Sequence, residues 1–265
     1  MSEKIANYYK TVDFKRYSSI HIGGEKEVLV INEVGDYPDI QIIGRGNNLL
    51  ISPKCEKKFA ILGEEFDYIK QEENLLYVGC ATTSGKLLTY TRNNDIANLE
   101  FLAKLPGNLG GLVKMNAGLK SWEMFNYIHS IKTKDGYVKK EDINYSYRET
   151  KIDDIVYEVV FNIEHGFCKE QLKEFNKMRD NQPHVPSAGS CFKNPKGDFA
   201  GRLIQEVGLK GIKKGDMSFS EQHANFLVNY GDGTFEDAVY LIEKVKSKVK
   251  EQFNIDIEEE IIIYK

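Results

Sequence analysis

The sequence predicts an α+β fold, in which strands and helices are largely segregated along the chain. One observation excludes a doubly wound Rossmann sheet: the glycine loop Gly44–Asn48 runs directly into the strand-like segment Leu49–Ile51, whereas a dinucleotide fingerprint requires a helix after its glycines. A second observation is the change of character near Gly166. The helix candidates Ala200–Val207 and Glu236–Phe253, of which the second is the longest in the chain, both follow it.

Composition sets the class of protein. The chain has 265 residues, of which 41% are hydrophobic and 29% charged, which is typical of a soluble globular protein with one large or two modest domains. A net charge of −4 gives no general attraction to nucleic acid. The segment Met1–Lys10 lacks the apolar core of a signal peptide, and no apolar run approaches bilayer length. We therefore expect a cytoplasmic protein without membrane insertion.

The four cysteines are scattered and form no CxxC pair, so neither a zinc site, nor any other metal site, nor a disulfide framework is expected. They are Cys55, Cys80, Cys168 and Cys191.

The first half of the chain is predicted to be rich in short strands. Asp135-Gly136 predicts the tight turn of a hairpin, because both residue types accept positive φ. One helix, Ser84–Asn94, is predicted from its apolar spacing. The predicted strands are Glu27–Ile31, Ile40–Ile43, Leu49–Ile51, Lys57–Leu62, Leu75–Ala81, Ile128–Lys132, Tyr137–Lys139 and Tyr157–Ile163.

The second half is predicted to mix helices and strands. Gln171–Asn181 has helical charge spacing. Within Glu236–Phe253, apolar residues recur at steps of three and four and form one stripe. A strand is expected over Ile255–Tyr264, and Gly189–Pro195 reads most simply as a turn that caps the next helix.

Two glycine loops are candidates for binding an anion. In Pro106–Gly111 the glycines allow close backbone approach, and a helix that begins near Pro106 would add its positive end. Gly44–Asn48 is the second loop. Glycines also serve ordinary tight turns, so each loop alone is a weak signal.

Several side chains could carry chemistry, and each has a plainer interpretation. Ser190 lacks the GxSxG spacing of a hydrolase, and Cys191 has no marked histidine partner. Arg148 suits a carboxylate or an enolate but is by default a surface residue. His223 is more often structural. The acidic run Glu258–Glu260 is usually solvated, although one acid beside a buried strand could keep its proton.

The order of these pieces is more specific than any one of them. The chain resembles the UDP-N-acetylenolpyruvoylglucosamine reductase (MurB) family of flavoenzymes in peptidoglycan precursor synthesis, across nearly its whole length. The matching segments are IHIGG, GRGNNLLIS, LEFLAKLPGNLGGLVKMNAG, YSYRET, AGSCFKNP, AGRLIQEVGLKG, SEQHANFLVN and IEEEIII.

The resemblance implies non-covalent FAD in an N-terminal unit of the vanillyl-alcohol oxidase/PCMH type, followed by an α+β substrate-binding domain. The expected domains are 1–165, in subdomains of roughly 1–70 and 71–165, and 166–265, whose last strand packs back towards the active site. The residues expected to hold the cofactor are Gly44, Gly46, Asn47, Asn48, Leu49, Pro106, Gly107, Gly110, Gly111, Asn116 and Ala117.

The implied reaction is reduction of UDP-N-acetylglucosamine enolpyruvate to UDP-N-acetylmuramate, with NADPH as cosubstrate. By resemblance, Arg148 stabilises the enolate-like carboxylate, Glu260 hydrogen-bonds the same group, and Ser190 gives a proton to the carbanionic carbon. The residues expected to contact the nucleotide sugar are Tyr147, Lys193, Asn194, His223 and Asn225.

Some positions depart from the family's pattern. Lys104 stands where a glycine is usual, the chain is of the shorter type, and the basic residue expected before Gln182-Pro183 is not clearly placed. Glu259 and Ile262 stand where proline and arginine are usual, so Glu258 or Glu259 could take the role of Glu260. Two other functions stay open: another flavin oxidoreductase of this fold, and a non-catalytic nucleotide-sugar binder. No histidine lies in Gly44–Gly118, which argues against covalently tethered flavin.

Overall fold

The structure is a computed structural model, and it describes residues 5–265. It mixes helices and sheets, which confirms the predicted fold class at that level. Six α-helices lie in the described part of the chain: α1 Phe14–Tyr17, α2 Ser84–Asn93, α3 Leu109–Lys114, α4 Lys169–Met178, α5 Ala200–Glu206 and α6 Phe235–Phe253.

The strands are mostly short. In chain order they are β1 Tyr8–Asp13, β2 Glu25–Ile31, β3 Ile40–Ile42, β4 Leu49–Ile51, β5 Lys58–Leu62, β6 Ile69–Glu72, β7 Leu75–Gly79, β8 Gly118–Leu119, β9 Trp122–Glu123, β10 Ile128–Thr133, β11 Gly136–Lys139, β12 Tyr145–Ser146, β13 Glu149–Thr150, β14 Glu158–Asn162, β15 Ser187–Ser190, β16 Lys213–Lys214, β17 Met217–Phe219, β18 Phe226–Asn229 and β19 Ile262–Tyr264.

The chain divides into two compact units that are not contiguous in sequence. The first contains the described residues up to Lys10, Glu27–Arg45 and Lys58–Asp180. The second contains Thr11–Lys26, Gly46–Lys57 and Asn181–Lys265. This division differs from the expected domains 1–165 and 166–265, because two early segments belong with the C-terminal part and the last boundary falls after residue 180.

The first unit contains a five-stranded antiparallel sheet in the order β11-β10-β14-β7-β6. Its predicted hairpin is confirmed, with Thr133 paired to Gly136, whose φ is +114°. Helices α2 and α3 supply Leu87, Leu112 and Val113 to the buried core of this unit. In the sheet of order β1-β2-β5-β3, strand β5 runs parallel to both β2 and β3.

The second unit is built on the antiparallel sheet β15-β18-β17-β16 and helix α6. The apolar stripe predicted for α6 is confirmed, since its five predicted members are fully buried: Ala238, Leu241, Ile242, Val245 and Val249. Strand β19 pairs in parallel with β4, so the C-terminus is joined to residues 49–51.

Three local predictions need correction. The closing strand is only Ile262–Tyr264, because the residues before it make an isolated bridge and backbone bonds to the Cys191 region. In the predicted turn Gly189–Pro195, the first two residues instead belong to the strand Ser187–Ser190, which pairs with β18. The helix expected near Pro106 begins at Leu109, because Asn108 is its N-cap.

Candidate active site

In the first unit the two glycine loops lie against each other. A Cβ on Gly44 would be 2.6 Å from Asn108 Oδ1 and 3.7 Å from the Gly111 Cα. A Cβ on Gly110 would be 3.2 Å from the Cys80 Cβ. Glycine at these positions therefore allows the chain segments to pack closely, because protein atoms occupy or crowd the space that a Cβ would take.

The first turn of α3 does not offer its N–H groups to a ligand. Leu109 and Gly110 donate to the carbonyls of Thr82 and Cys80, at 2.9 and 3.0 Å. Gly111 donates to the side chain of the N-cap, Asn108. The expectation that this helix end binds a phosphate is therefore not supported, because its donors already have protein acceptors.

The backbone conformation of the turn before α3 explains why the family usually has glycine where this chain has Lys104. Lys104, which stands where the family's pattern has glycine, adopts φ +53° and is exposed. This left-handed conformation is the reason a glycine suits the position. Pro106 is exposed, and Gly107 follows with φ +127° and accepts the N–H of Ser84 at 3.1 Å.

The rest of the loop Gly44–Asn48 belongs to the second unit, where it contacts residues near the C-terminus. Gly46 is buried with φ +72°, and a Cβ would lie 3.0 Å from the Ser18 Cα. Asn48 Nδ2 donates to the Glu260 carbonyl at 2.8 Å, and its carbonyl accepts the Ile262 N–H at 3.0 Å. Asn47 is partly buried, and Leu49 pairs with Ile262.

Ser190 and Glu260 are brought together within the second unit. Ser190 ends β15, and the next residue, Cys191, accepts the Glu260 N–H at 2.8 Å through its carbonyl. Asn225 holds the same segment, because Oδ1 accepts the Phe192 N–H at 3.0 Å and Nδ2 donates to the Phe192 carbonyl at 2.8 Å. Asn225 therefore has a structural task, being only 4% exposed.

Two of the three C-terminal glutamates form ion pairs with lysines. Glu258 pairs with Lys193 at 3.4 Å, and Glu259 pairs with Lys246 at 2.8 Å. The Glu260 carboxylate is on the adjacent, partly buried residue. The assignment of Glu260 therefore depends on its position in the IEEEIII segment.

The other predicted sugar contacts have local roles as well. Asn194 Oδ1 accepts the N–H of Ala200, the first residue of α5, at 3.0 Å. His223 Nδ1 accepts the Asn225 N–H at 3.3 Å, and its ring lies edge-on to Phe226. Burial lowers the pKa of His223, so a neutral imidazole is favoured at neutral pH.

Arg148 lies in the first unit, in the turn between β12 and β13, with φ +57°. Its Nη1 donates to Glu123 Oε1 at 2.9 Å, and its Nη2 donates to the Gly118 carbonyl at 3.0 Å. The guanidinium carbon lies 4.7 Å from the centre of the Tyr147 ring, while Tyr147 itself is exposed. A buried, oriented cation is thus held at the predicted position.

Asn116 and Ala117 precede Glu123 and Arg148 in the chain. Asn116 is fully buried with φ +41°, and its amide donates to Glu123 Oε2 at 3.0 Å and to the Ser146 carbonyl at 2.9 Å. The Ala117 carbonyl accepts the Met124 N–H at 3.0 Å. Any cofactor contact from these residues would come from backbone atoms that the side-chain network holds in place.

Sequence reasoning missed Arg179. It is only 7% exposed, yet its Nε and Nη2 have no hydrogen-bond partner in the structure. Burial and, to a smaller extent, the charge on Arg148 together lower the pKa of Arg179 to about 10, so the two guanidinium groups are within electrostatic reach. A buried cation with unmet donors is costly unless an anion binds it. Arg179 is a candidate for the basic residue that the sequence left unplaced.

Sequence reasoning also missed Glu123. Burial raises its pKa, and the Arg148 guanidinium and the Asn116 amide counteract part of that rise. A single glutamate after Trp122 carries no sequence signal for pairing with an arginine 25 positions later.

Three further observations concern the whole described chain. The four cysteines are free thiols. Residues 5–265 contain no group of three or more His, Cys, Asp or Glu side chains arranged to hold a metal ion. None of the helices in that range is long and apolar enough to cross a membrane.

Comparison with known proteins gives one consistent result. The family model for the C-terminal domain of UDP-N-acetylenolpyruvoylglucosamine reductase matches residues 181–264. The chain is 45% identical to the UDP-N-acetylenolpyruvoylglucosamine reductase of Campylobacter jejuni strain RM1221, over 95% of this chain and 99% of that one. It is 43% identical to the Helicobacter pylori strain J99 protein of the same name, over 96% and 98%.

A solved structure extends the similarity to three dimensions. The crystal structure of the MurB reductase from Thermus caldophilus superposes with a TM-score of 0.84 and 28% identity, covering 98% of this chain and 100% of that one.

Proposed function

The chain belongs to the UDP-N-acetylenolpyruvoylglucosamine reductase family, and we infer from this membership that it is an NADPH-dependent flavin oxidoreductase of peptidoglycan precursor synthesis. Its substrate is UDP-N-acetylglucosamine enolpyruvate and its product is UDP-N-acetylmuramate. The observation that carries this function is the 45% identity along 95% of the chain. The largely buried Arg148 and the backbone bond that joins Glu260 to Cys191, the residue after Ser190, are consistent with this chemistry.

The family's pattern places FAD at the two glycine loops. At Gly44 the space that a Cβ would take is occupied by Asn108, and at Gly110 it is crowded by Cys80, so glycine at these positions lets the loops pack closely. We assign the N-terminal part of the chain mainly to FAD binding, with a fold of the vanillyl-alcohol oxidase/PCMH type, and the C-terminal part mainly to the substrate. When bound, FAD accepts hydride from NADPH and supplies it to the substrate.

The residues assigned to the cofactor come from both glycine loops. In the first unit they are Gly44, Pro106, Gly107, Gly110, Gly111, Asn116 and Ala117, and in the second Gly46, Asn47, Asn48 and Leu49. Because the first N–H groups of α3 are bonded to protein carbonyls, the diphosphate must depend on loop backbone and solvent rather than on that helix end.

Arg148 is assigned to the substrate carboxylate. Hydride addition to the vinyl CH2 carbon places negative charge on the adjacent carbon and on its carboxylate. A guanidinium that is already oriented by Glu123 and Gly118 stabilises that charge without having to reorganise. Arg179, with two unmet donors, can bind the same anionic group or its neighbour.

Ser190 is assigned to the proton transfer that completes the reduction. Its hydroxyl gives a proton to the carbon beside the carboxylate and recovers one from solvent, so the net reaction consumes NADPH and one proton. Glu260 is assigned a hydrogen bond to the carboxylate, which requires its proton to be retained. Tyr147, Lys193, Asn194, His223 and Asn225 are assigned to the region of the nucleotide sugar, the asparagines through the segments they hold.

The test separates the two half-reactions in the FAD-loaded protein. In Ser190→Ala, reduction of the flavin by NADPH should keep its rate, while reoxidation by the enolpyruvyl substrate falls by about 10²–10⁴-fold, the usual contribution of a positioned general acid. Ser187→Ala, in the same strand, is the matched control and should change neither rate. Unchanged reoxidation in Ser190→Ala would remove Ser190 from the mechanism. A wild-type protein that binds no FAD would refute the function itself.

A further inference from the structure

We propose that Glu123 is a positioning residue, which fixes the guanidinium of Arg148 in the orientation that receives the substrate carboxylate. The inference rests on the proposed function of Arg148. It concerns the chemistry of the same site, to which Glu123 would contribute without touching the substrate.

The first argument is the geometry of the pair. Glu123 Oε1 accepts from Arg148 Nη1 at 2.9 Å, and the side chains of the two residues are only 18% and 11% exposed. A charge-assisted bond between two largely buried groups is stronger and better oriented than a surface ion pair. The end of the guanidinium that carries Nη1 is therefore held by Glu123.

The second argument is that Glu123 is itself held. Its other oxygen, Oε2, accepts from the Asn116 amide at 3.0 Å, and Asn116 Oδ1 accepts the N–H of Phe125 at 3.1 Å. Asn116 also donates to the Ser146 carbonyl, in the strand that leads to Arg148. The network thus joins the end of α3, the residues around β9 and the β12–β13 turn.

The third argument is that the backbone there is unfavourable on its own. Arg148 and Asn116 adopt φ +57° and +41°, a region that costs non-glycine residues energy and persists where the surroundings over-determine it. Strain of this kind is concentrated at functional sites. Glu123 contacts the side chains of both residues and so supplies part of the surroundings that hold them.

The fourth argument is electrostatic. Arg179 is a second buried cation within reach of Arg148. Without the Glu123 carboxylate, the repulsion between the two guanidinium groups would be less compensated, which favours other orientations of Arg148. A carboxylate this close to Arg148 weakens the attraction of the guanidinium for an anion. The role of Glu123 is therefore to orient Arg148 and not to strengthen its positive charge.

A double-mutant cycle distinguishes positioning from a merely structural role. Reoxidation of the NADPH-reduced holoenzyme by the enolpyruvyl substrate is followed anaerobically by flavin absorbance. We expect Glu123→Gln to slow this step about 10–100-fold, as misplacement of a catalytic group does. In an Arg148→Ala background the same change should alter the rate less than about twofold, because the partner is gone.

Three controls accompany the cycle. The rate of flavin reduction by NADPH should stay within about twofold in Glu123→Gln, since that step does not use the carboxylate site. Glu123→Asp keeps the charge and should recover part of the lost rate. Asp67→Asn removes a carboxylate from the exposed pair with Lys86 in the same unit, and should leave both half-reactions unchanged.

Each outcome is decisive. Equal losses from Glu123→Gln with and without Arg148, or no loss in either, would overturn the proposal. If Arg148→Ala alone leaves reoxidation unchanged, the proposed function of Arg148 fails instead. If Glu123→Gln does not retain FAD, the cycle is run with Glu123→Asp, whose slower reoxidation must again disappear in the Arg148→Ala background.

Discussion

Replacing Gly44 by alanine tests the close packing of Gly44 against Asn108 and the second glycine-rich segment. The new Cβ would lie 2.6 Å from Asn108 Oδ1, whereas ordinary contact begins at 3.4 Å, so the amide must move by about 0.8 Å. No strain from backbone conformation enters, since Gly44 does not have positive φ. The variant therefore isolates the steric effect on one side chain.

The cost follows from what Asn108 does. Its Oδ1 caps α3 by accepting from Gly111, and loss of such a cap costs about 1 kcal/mol, within a range of about 0.5–2. If FAD binds to the conformation in which Asn108 caps α3, part of the free energy of binding is used to restore that cap. A cost of 1–2 kcal/mol corresponds to a rise in the dissociation constant of FAD of about 5–30-fold.

The assay is titration of the apoprotein with FAD, followed by quenching of flavin fluorescence, together with urea unfolding. Gly85→Ala is the matched control, because its Cβ meets no atom within 4 Å at the start of α2. That variant should bind FAD normally and be as stable as the wild type or up to about 1 kcal/mol more stable. Unchanged FAD affinity in Gly44→Ala would refute the reasoning.

Two further predictions concern the second unit. Glu260→Gln should slow reoxidation of the reduced flavin by the enolpyruvyl substrate, about 10-fold or more, while the same change at Glu258 or Glu259 has a smaller effect, because the family's motif assigns the glutamate to position 260; stopped-flow absorbance checks this, and full turnover in the Glu260 variant would contradict it. Burial lowers the pKa of His223, so the unfolded chain binds the proton more readily and stability should fall as pH drops below about 6.5. In His223→Gln that part of the pH dependence should vanish from urea unfolding between pH 5 and 7.5, and an unchanged slope would count against it.

Elements with strong local signals were predicted well from sequence. Helix α6 begins one residue before the expected Glu236 and ends at the expected Phe253, because its apolar stripe, the Thr234 cap and the left-handed Asn254 all agree. The Asp135-Gly136 turn is equally local. Such elements are specified by residues that are neighbours in the chain, so a pattern is enough to find them.

Elements that depend on distant partners were predicted less well. Ser187–Ser190 is a strand because it pairs with β18, although serine and glycine have low strand propensity and suggest a turn. Residues 255–261 were predicted to belong to a strand. In the structure this segment makes separate backbone hydrogen bonds to the Cys191 region and no continuous ladder. Pairing over tens of residues leaves no periodic mark in the sequence.

The candidate site shows the same division in its chemistry. Family resemblance pointed to Arg148, Ser190 and Glu260 by their positions in motifs, yet it could not say what surrounds them. The structure adds Glu123 and Arg179, which carry opposite charges and lie near one arginine. Their effects differ. Glu123 orients Arg148, whereas Arg179 raises the free-energy cost of leaving the site without an anion. Under the proposed function this site receives a carboxylate, for which Arg179 offers two donors without a hydrogen-bond partner, and it depends on residues that no motif contains.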